Sequence, residues 1–124
     1  MMKHCIIISG PTIANDDRLS NELQKNAVVL KNKDNTRIAS IIANTKVDLI
    51  LFEVFNENRS EIEIIKNVKS QHPDIEIILI DGERDRDVLA KAFKYGAKDA
   101  FRKPYKCALI VERVNVLLRH EKNK

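Results

Sequence analysis

Cysteine is scarce in this chain of 124 residues, which contains only Cys5 and Cys107. Two thiols cannot build the disulfide framework of a small secreted protein, and they form no Cys-x-x-Cys motif of the kind that holds a structural metal. We expect both to be reduced, half-buried packing residues, since free cysteine is usually found inside proteins. Glycine is also scarce, with three residues in all. The turn at residues 9–12 therefore lacks the glycines and the lysine of a phosphate-binding P-loop.

Long hydrophobic runs are missing as well. Those at residues 49–52 and 77–80 are among the longest, and they are far shorter than the roughly 20 residues that a membrane-spanning helix needs. No signal-peptide pattern opens the chain. With 44% apolar and 32% charged residues, the composition is typical of a globular domain. We expect residues 1–124 to form one cytoplasmic domain that does not bind membranes.

The positive charge is small and dispersed. The chain has 22 basic and 18 acidic residues, for a net charge of +4. Proteins that bind nucleic acid cluster their cations to neutralise phosphates. Here the lysines alternate with acids over several predicted elements: Lys25, Lys31, Lys33, Lys66, Lys69, Lys91, Lys94 and Lys98. We therefore expect a solvated surface and no direct binding of nucleic acid.

Five short apolar segments predict strands. Several are continuous runs of isoleucine, valine and leucine, which is typical of parallel strands covered by helices on both faces. The segments are residues 5–8, 27–30, 49–52, 75–80 and Asp99–Arg102.

Segments with helical spacing follow each of these strands. The predicted starts of the first three are Asp16 or Asp17, Asp34 or Asn35, and Ser60, which has a capping-box spacing to Glu63. The fourth helix covers residues 86–95 and stops at Gly96, and its core face carries Val88, Leu89, Ala92 and Phe93. The fifth helix covers residues 108–121.

This alternation predicts an α/β domain with a doubly wound, five-stranded parallel sheet. In such sheets the functional crevice lies beyond the carboxyl ends of the strands. The polar residues at those ends are Ser9, Glu53, Asp81 and Lys103. They are the candidate site residues.

Three stretches resemble the receiver domains of bacterial response regulators. They are residues 47–53, which end in Glu53, residues 72–80, and residues 96–105, which contain the Lys103-Pro104 pair typical of the family. The resemblance covers the whole chain and implies a (βα)5, flavodoxin-like or CheY-like three-layer sandwich. It also implies a role in two-component, phosphorelay signal transduction.

The chain departs from the family at most of its chemical positions. Glu53 stands where the family has its phosphate-accepting Asp, and Asp81 replaces the switch Thr or Ser. Ala100 replaces the switch aromatic residue. The acidic pair that helps to bind Mg²⁺ is replaced by residues 9–11, Ser-Gly-Pro. We therefore expect a pseudo-receiver that binds no metal or cofactor, is not an enzyme and is not phosphorylated.

Lys103 is the family residue that survives, and by the resemblance it lies near Glu53 and Asp81. We expect these three side chains to form an ionic cluster, because an ammonium favours the charged forms of neighbouring carboxylates. Either Glu53 imitates a phosphorylated acceptor and holds one constant signalling state, or the cluster is a structural salt bridge. Asp16 and Asp17 come too late in the chain to replace the missing metal ligands.

A partner surface is expected on the fourth helix, fifth strand and fifth helix. By resemblance it includes Lys91, Tyr95, Phe101 and Arg113, and the spacing of the last helix adds the outward-facing Leu109 and Val116. A homodimer through this face and the absence of any partner there are both consistent with the sequence.

The favoured function is a signalling module that regulates a protein partner or an attached output domain, such as a DNA-binding domain or a kinase. The chain would then be a single-domain regulator or the first domain of a longer protein. Two alternatives stay open: a regulator phosphorylated on a non-standard carboxylate such as Asp81, and a domain that binds a nucleotide or small anion at residues 9–12.

Overall fold

The computed structural model of the chain describes residues 3–55, 59–81 and 86–122. Strands and helices alternate along it. The strands are β1 (His4–Ser9), β2 (Ala27–Asn32), β3 (Leu49–Val54), β4 (Glu76–Asp81) and β5 (Asp99–Arg102). The helices are α1 (Asp17–Gln24), α2 (Ile38–Asn44), α3 (Arg59–Gln71), α4 (Arg86–Lys94) and α5 (Cys107–Lys122), and two 3₁₀ turns cover Ile13–Asn15 and Asn35–Arg37.

The strands form one parallel sheet in the order β2-β1-β3-β4-β5. This confirms the predicted doubly wound α/β architecture. The first strand lies inside the sheet, so the chain winds outward in one direction through β2 and in the other through β3, β4 and β5. Ligand sites of such sheets lie where the winding direction changes, which here is the carboxyl edge of β1 and β3.

The apolar side chains form two layers, one on each face of the sheet. Residues of α2, α3 and α4 cover one face, including Ile38, Ile42, Ile65 and Ala92. Residues of α1 and α5 cover the other, including Leu19, Leu23, Ile110 and Val114. Both faces of the central strands are therefore shielded from water. Shortening one of these side chains to alanine typically costs about 2–5 kcal/mol of stability. Cys5 is buried and Cys107 is half-buried, and both are free thiols, as expected.

Polar side chains fix the helix starts. Asp16, the residue before α1, accepts a hydrogen bond from the Leu19 N–H at 3.0 Å, and Asp34 accepts one from the Thr36 N–H at 3.0 Å. Asp16 is one of the two caps that the sequence indicated for the first helix, whereas Asp34 caps the 3₁₀ turn Asn35–Arg37, and α2 itself starts at Ile38 without a side-chain cap. The predicted start of α3 was wrong, because the helix begins at Arg59 and Ser60 lies inside its first turn. Among the described helices, none is long and apolar enough to cross a membrane.

Candidate functional site

The predicted site residues meet at the carboxyl edge of the sheet. Glu53 is the fifth residue of β3 and lies opposite Ile80 of β4, so Asp81 is one position further along. Lys103 directly follows β5, and its N–H donates to the carbonyl oxygen of Asp81 at 3.0 Å. The parallel register therefore brings together three residues that are distant in sequence.

Glu53 is the centre of this edge, and it is 0% exposed. One carboxylate oxygen, Oε1, accepts hydrogen bonds from the N–H groups of Thr12 at 2.8 Å and Ile13 at 3.3 Å. The other, Oε2, accepts from the Thr12 hydroxyl and from the Lys103 ammonium. Both oxygens are thus satisfied within the chain, and the side chain turns back toward the loop after β1.

Lys103 contacts both Glu53 and Thr12. Its ammonium donates to Thr12 Oγ1 at 2.7 Å and forms the ion pair with Glu53. It also lies 5.3 Å from the centroid of the Phe55 ring. The peptide bond to Pro104 is cis. The expected Glu53–Lys103 pair is therefore present, while Thr12 is a member of the site that sequence reasoning missed.

Asp81 joins the site through its main chain. It ends β4, it is 3% exposed, and its carbonyl accepts the Lys103 N–H. The ammonium of Lys103 contacts Glu53 and Thr12, whereas the expected ionic cluster also placed it against the Asp81 carboxylate. The salt bridge that Lys103 forms within the described residues is thus the one with Glu53.

Gly10 makes room for the Glu53 carboxylate. Its φ is +145°, which L side chains rarely adopt, and its N–H donates to the Asn32 carbonyl at 2.8 Å. A Cβ at this position would overlap the Glu53 side chain. The close approach of main chain and carboxylate therefore requires glycine.

Burial and hydrogen bonding shift the pKa of Glu53 in opposite directions. Burial raises the pKa of Glu53, but the hydrogen bonds from Lys103, from the Thr12 hydroxyl and from the two N–H groups outweigh it, so that the pKa lies below its usual value. Glu53 is therefore ionised at neutral pH, and its charge is compensated by Lys103.

A second buried carboxyl group lies in the first turn of α3. Glu61 is 6% exposed, and its two oxygens share the Phe55 N–H at 2.9 and 3.0 Å. Burial raises the pKa of Glu61 to about 7 against the lowering effect of this hydrogen bond, and the negative charge of Glu53 adds to the rise. Sequence reasoning missed this residue, because nothing in its helical spacing distinguishes it from a solvated glutamate.

Ser9 contacts amides and not carboxylates. Its hydroxyl donates to Asn35 Oδ1 at 2.5 Å and accepts from Asn32 Nδ2 at 2.9 Å. Asn35 in turn donates to the main-chain carbonyl of Glu53 at 3.0 Å. A hydroxyl and two amides thus lie at the end of β1, where the resemblance led us to expect an acidic pair.

This set of donors and acceptors does not suit a divalent cation. Mg²⁺ needs several free oxygen ligands, but both oxygens of Glu53 already accept hydrogen bonds, one of them from an ammonium. Asp16 caps α1 and accepts the Tyr105 hydroxyl at 2.5 Å, and Asp17 pairs with Lys31 at 3.4 Å. Within residues 3–55, 59–81 and 86–122, no group of three or more His, Cys, Asp or Glu residues could hold a metal.

The apolar side chains of the predicted partner face are exposed to different degrees. Leu109 is 51% exposed, and Val116 and Phe101 are half-buried. On α4, Ala92 is buried and Leu89 is packed against the core, as expected, but Phe93, which the spacing placed on the same face, is 44% exposed. The side chain of Val88 lies outside the described residues.

Charged side chains surround these apolar residues. Lys91 is exposed, and Arg113 pairs with Asp99 through a contact of 2.9 Å. The ammonium of Lys94 lies 6.0 Å from the centroid of the half-buried Tyr95 ring. Ala100, which the resemblance assigned to a switch position, is partly buried against the layer formed by α2, α3 and α4.

Comparison with known proteins gives a consistent result. The model of the response regulator receiver domain family matches residues 13–115. The chain is 28% identical over 65 residues to the transcriptional regulatory protein MalR of Bacillus subtilis (strain 168), which is 52% of this chain and 28% of that protein. It is 24% identical over 91 residues to response regulator RR06 of Streptococcus pneumoniae serotype 2 (strain D39 / NCTC 7466), which is 73% of this chain and 42% of that protein.

The matched stretches therefore span less than half the length of these two relatives. Among solved structures, the fold is similar to that of a CheY-like response regulator receiver domain protein from Methanospirillum hungatei JF-1. The TM-score is 0.87 at 17% identity, over 98% of each chain.

Proposed function

The chain belongs to the family of response regulator receiver domains, and from this membership we propose that it signals through protein contacts without being phosphorylated at position 53. The observation that carries the proposal is the Glu53 carboxylate, which is fully buried and bound by the N–H groups of Thr12 and Ile13, the Thr12 hydroxyl and Lys103.

Phosphoryl transfer to a carboxylate requires a free oxygen as nucleophile and cations that neutralise the developing charge. Both oxygens of Glu53 are already occupied, and the ammonium of Lys103 is bound to one of them. An incoming phosphoryl donor would first have to break these hydrogen bonds. The residues at the end of β1 do not suit a metal ion, so no bound cation would compensate for the broken hydrogen bonds.

The contacts favour the structural interpretation of Glu53 over the imitation of a phosphorylated side chain. A phosphoryl group carries more charge and more acceptor oxygens than a carboxylate, and it would be accessible at the strand edge. The Glu53 carboxylate is instead turned into the loop after β1. We infer that it holds this loop, β3 and β5 in one constant arrangement.

The output of this state would be a protein contact. The face formed by α4, β5 and α5 offers Leu109 and Phe93 as exposed apolar residues beside Lys91 and the half-buried Tyr95. A homodimer and an attached or separate output domain are the partners that this face suits. Since one relative is a transcriptional regulatory protein, a domain that controls transcription is a reasonable output.

Exposure to acetyl phosphate with Mg²⁺, followed by intact-mass measurement, tests the proposal. We expect no gain of a phosphoryl group by the wild-type chain. The matched variants are Glu53→Gln and Asp81→Asn, which remove the two buried carboxylates of the edge one at a time. A Mg²⁺-dependent mass increase that disappears in Asp81→Asn would instead establish the regulator phosphorylated on Asp81.

The alternative of a nucleotide or small-anion site at residues 9–12 has less support in the wild-type chain. The donors of this turn, the N–H and hydroxyl of Thr12, are already bound to Glu53. A reproducible rise in Tm with a nucleotide would contradict this reasoning.

A further inference from the structure

We propose that Thr12, Ile13 and Lys103 form an anion-binding site whose resident ligand is the chain's own Glu53 carboxylate. A small external carboxylate such as formate or acetate would bind there once the Glu53 side chain is shortened. This inference concerns ligand chemistry and is independent of the signalling role proposed above.

The groups that contact the carboxylate are all hydrogen-bond donors. They are the N–H of Thr12 at 2.8 Å, the N–H of Ile13 at 3.3 Å, the Thr12 hydroxyl and the Lys103 ammonium. An ammonium has donors only, so Lys103 can serve an anion but not a cation. Bonds of this kind between ionised groups are about twice as strong as neutral ones.

Main-chain hydrogen bonds hold the segments that carry these donors, in addition to the contacts of the carboxylate. The Lys103 N–H is bound to the Asp81 carbonyl at 3.0 Å, and the N–H of Gly10 is bound to the Asn32 carbonyl at 2.8 Å. Lys103 also reaches Thr12 Oγ1 directly, at 2.7 Å. A shorter residue at position 53 would therefore leave preformed donors around an empty volume, with the lysine charge uncompensated.

An external ligand would have a route to these donors. A surface depression of about 680 Å³ is lined by Thr12 and Lys103, together with Arg18, whose positive charge favours anions. Asp16 also borders it, but its oxygens accept hydrogen bonds from the Leu19 N–H and the Tyr105 hydroxyl. Formate has the same two-oxygen geometry as the carboxylate that it would replace.

The test uses the full chain with Glu53→Ala, titrated with sodium formate and, at equal ionic strength, with sodium chloride. We expect a saturable rise in Tm with formate only, and no such rise in the wild type, whose site is filled. The matched control, Glu53→Ala combined with Lys103→Met, should bind formate roughly tenfold more weakly or worse, since it lacks the charged donor.

Equal responses to formate and chloride, or an undiminished response in the double variant, would overturn the proposal. If Glu53→Ala is unfolded in chloride, recovery of its folded circular dichroism spectrum in formate supports the site, and failure in both salts counts against it. In the wild type, the amide proton shifts of Thr12 and Ile13 should follow the titration of Glu53. Shifts that stay constant through that titration would contradict its role as their ligand.

Discussion

Glu53 is one methylene group longer than the aspartate that the resemblance leads one to expect at this position, and the added length changes what the side chain can reach. The carboxylate extends past the end of β3 to the N–H groups of Thr12 and Ile13 on the loop after β1. It thereby acts as a link between two strand ends, with Lys103 from a third. The Glu53 carboxylate thus acts as a ligand for hydrogen-bond donors of its own chain.

Replacing Lys103 by Met should destabilise the fold, because a buried carboxylate would lose its counter-ion. We expect the free energy of unfolding to fall by roughly 1.5–3 kcal/mol, the usual range for a hydrogen bond to a charged group. Urea unfolding at neutral pH measures it. Lys106→Met is the control, since Lys106 is exposed, and an equal loss in both variants would show that the ion pair contributes nothing specific.

Gly10→Ala should be more harmful than Gly96→Ala, although both glycines have positive φ, +145° and +115°. At Gly10 the new methyl would overlap the fixed Glu53 side chain, whereas at Gly96 it would meet the flexible carbons of Lys69, the nearest at 2.9 Å. We expect each variant to lose about 1–3 kcal/mol from backbone strain, with an added loss at Gly10. Thermal unfolding of the two variants side by side provides the comparison, and a smaller loss at Gly10 would be inconsistent with the described packing.

At the scale of elements, the α4, β5 and α5 face contains exposed apolar residues. Leu109, at 51% exposure, lies near the start of α5, and Phe93, at 44%, lies near the end of α4. The ion pair between Arg113 and Asp99 ties α5 to β5. Because both of its side chains are 36% exposed, its contribution is that of a surface pair, about 0–1 kcal/mol.

Leu109→Arg should therefore leave the stability nearly unchanged and weaken self-association through this face. Sedimentation velocity over a range of concentrations reports the oligomeric state. Val28→Arg is the matched control, since Val28 is 49% exposed on the edge strand β2, away from this face. Association that is lost in Val28→Arg and retained in Leu109→Arg would place the contact on the opposite edge of the sheet.

For the molecule as a whole, two buried carboxyl groups give stability opposite dependences on pH. The pKa of Glu53 is lowered on folding, so its stabilising contribution is present above its unfolded pKa and is lost as pH falls through the folded value. The pKa of Glu61 is raised to about 7, so the native state binds its proton more tightly than the unfolded chain does. The contribution of Glu61 is complete below about pH 4.5 and is lost as pH rises to about 7.

Glu61→Gln should remove the second of these effects. Relative to the variant, the wild type should lose up to about 3 kcal/mol between pH 4.5 and pH 7.5, since one pKa unit corresponds to about 1.4 kcal/mol. Urea unfolding at a series of pH values measures the difference. Glu63→Gln, an exposed position on the same helix, should run parallel to the wild type, and a parallel course for Glu61→Gln would show that folding does not shift the pKa of Glu61.

Much of the architecture could be predicted from the sequence, because buried parallel strands need continuous apolar runs. The prediction for β5, Asp99–Arg102, agrees with the structure residue for residue. The pairing of Glu53 with Lys103 also followed, since both stand just beyond strand ends and one of them belongs to a specific local motif. The resemblance to a known family indicated that these two residues lie close together, which their spacing in the sequence does not show.

The remaining site residues could not be predicted, for physical reasons. Thr12 lies in an irregular turn where no periodicity indicates which way a hydroxyl points. Glu61 is buried only because the first turn of α3 packs beside the end of β3, a packing detail that its own helix pattern does not carry. Phe93 was assigned to the core because it shares the helical spacing of Leu89 and Ala92, and that spacing does not show how wide a stripe of α4 is covered.

The contact between Glu53 and Lys103 joins positions 50 residues apart in sequence. A chain emerging from the ribosome therefore exposes the acid well before its base has been made. Until then the acid lacks its counter-ion and has only the neutral donors of the loop after the first strand. The edge of the sheet that contains this ion pair is thus among the last parts to form during synthesis, when nearly all of the described chain is available.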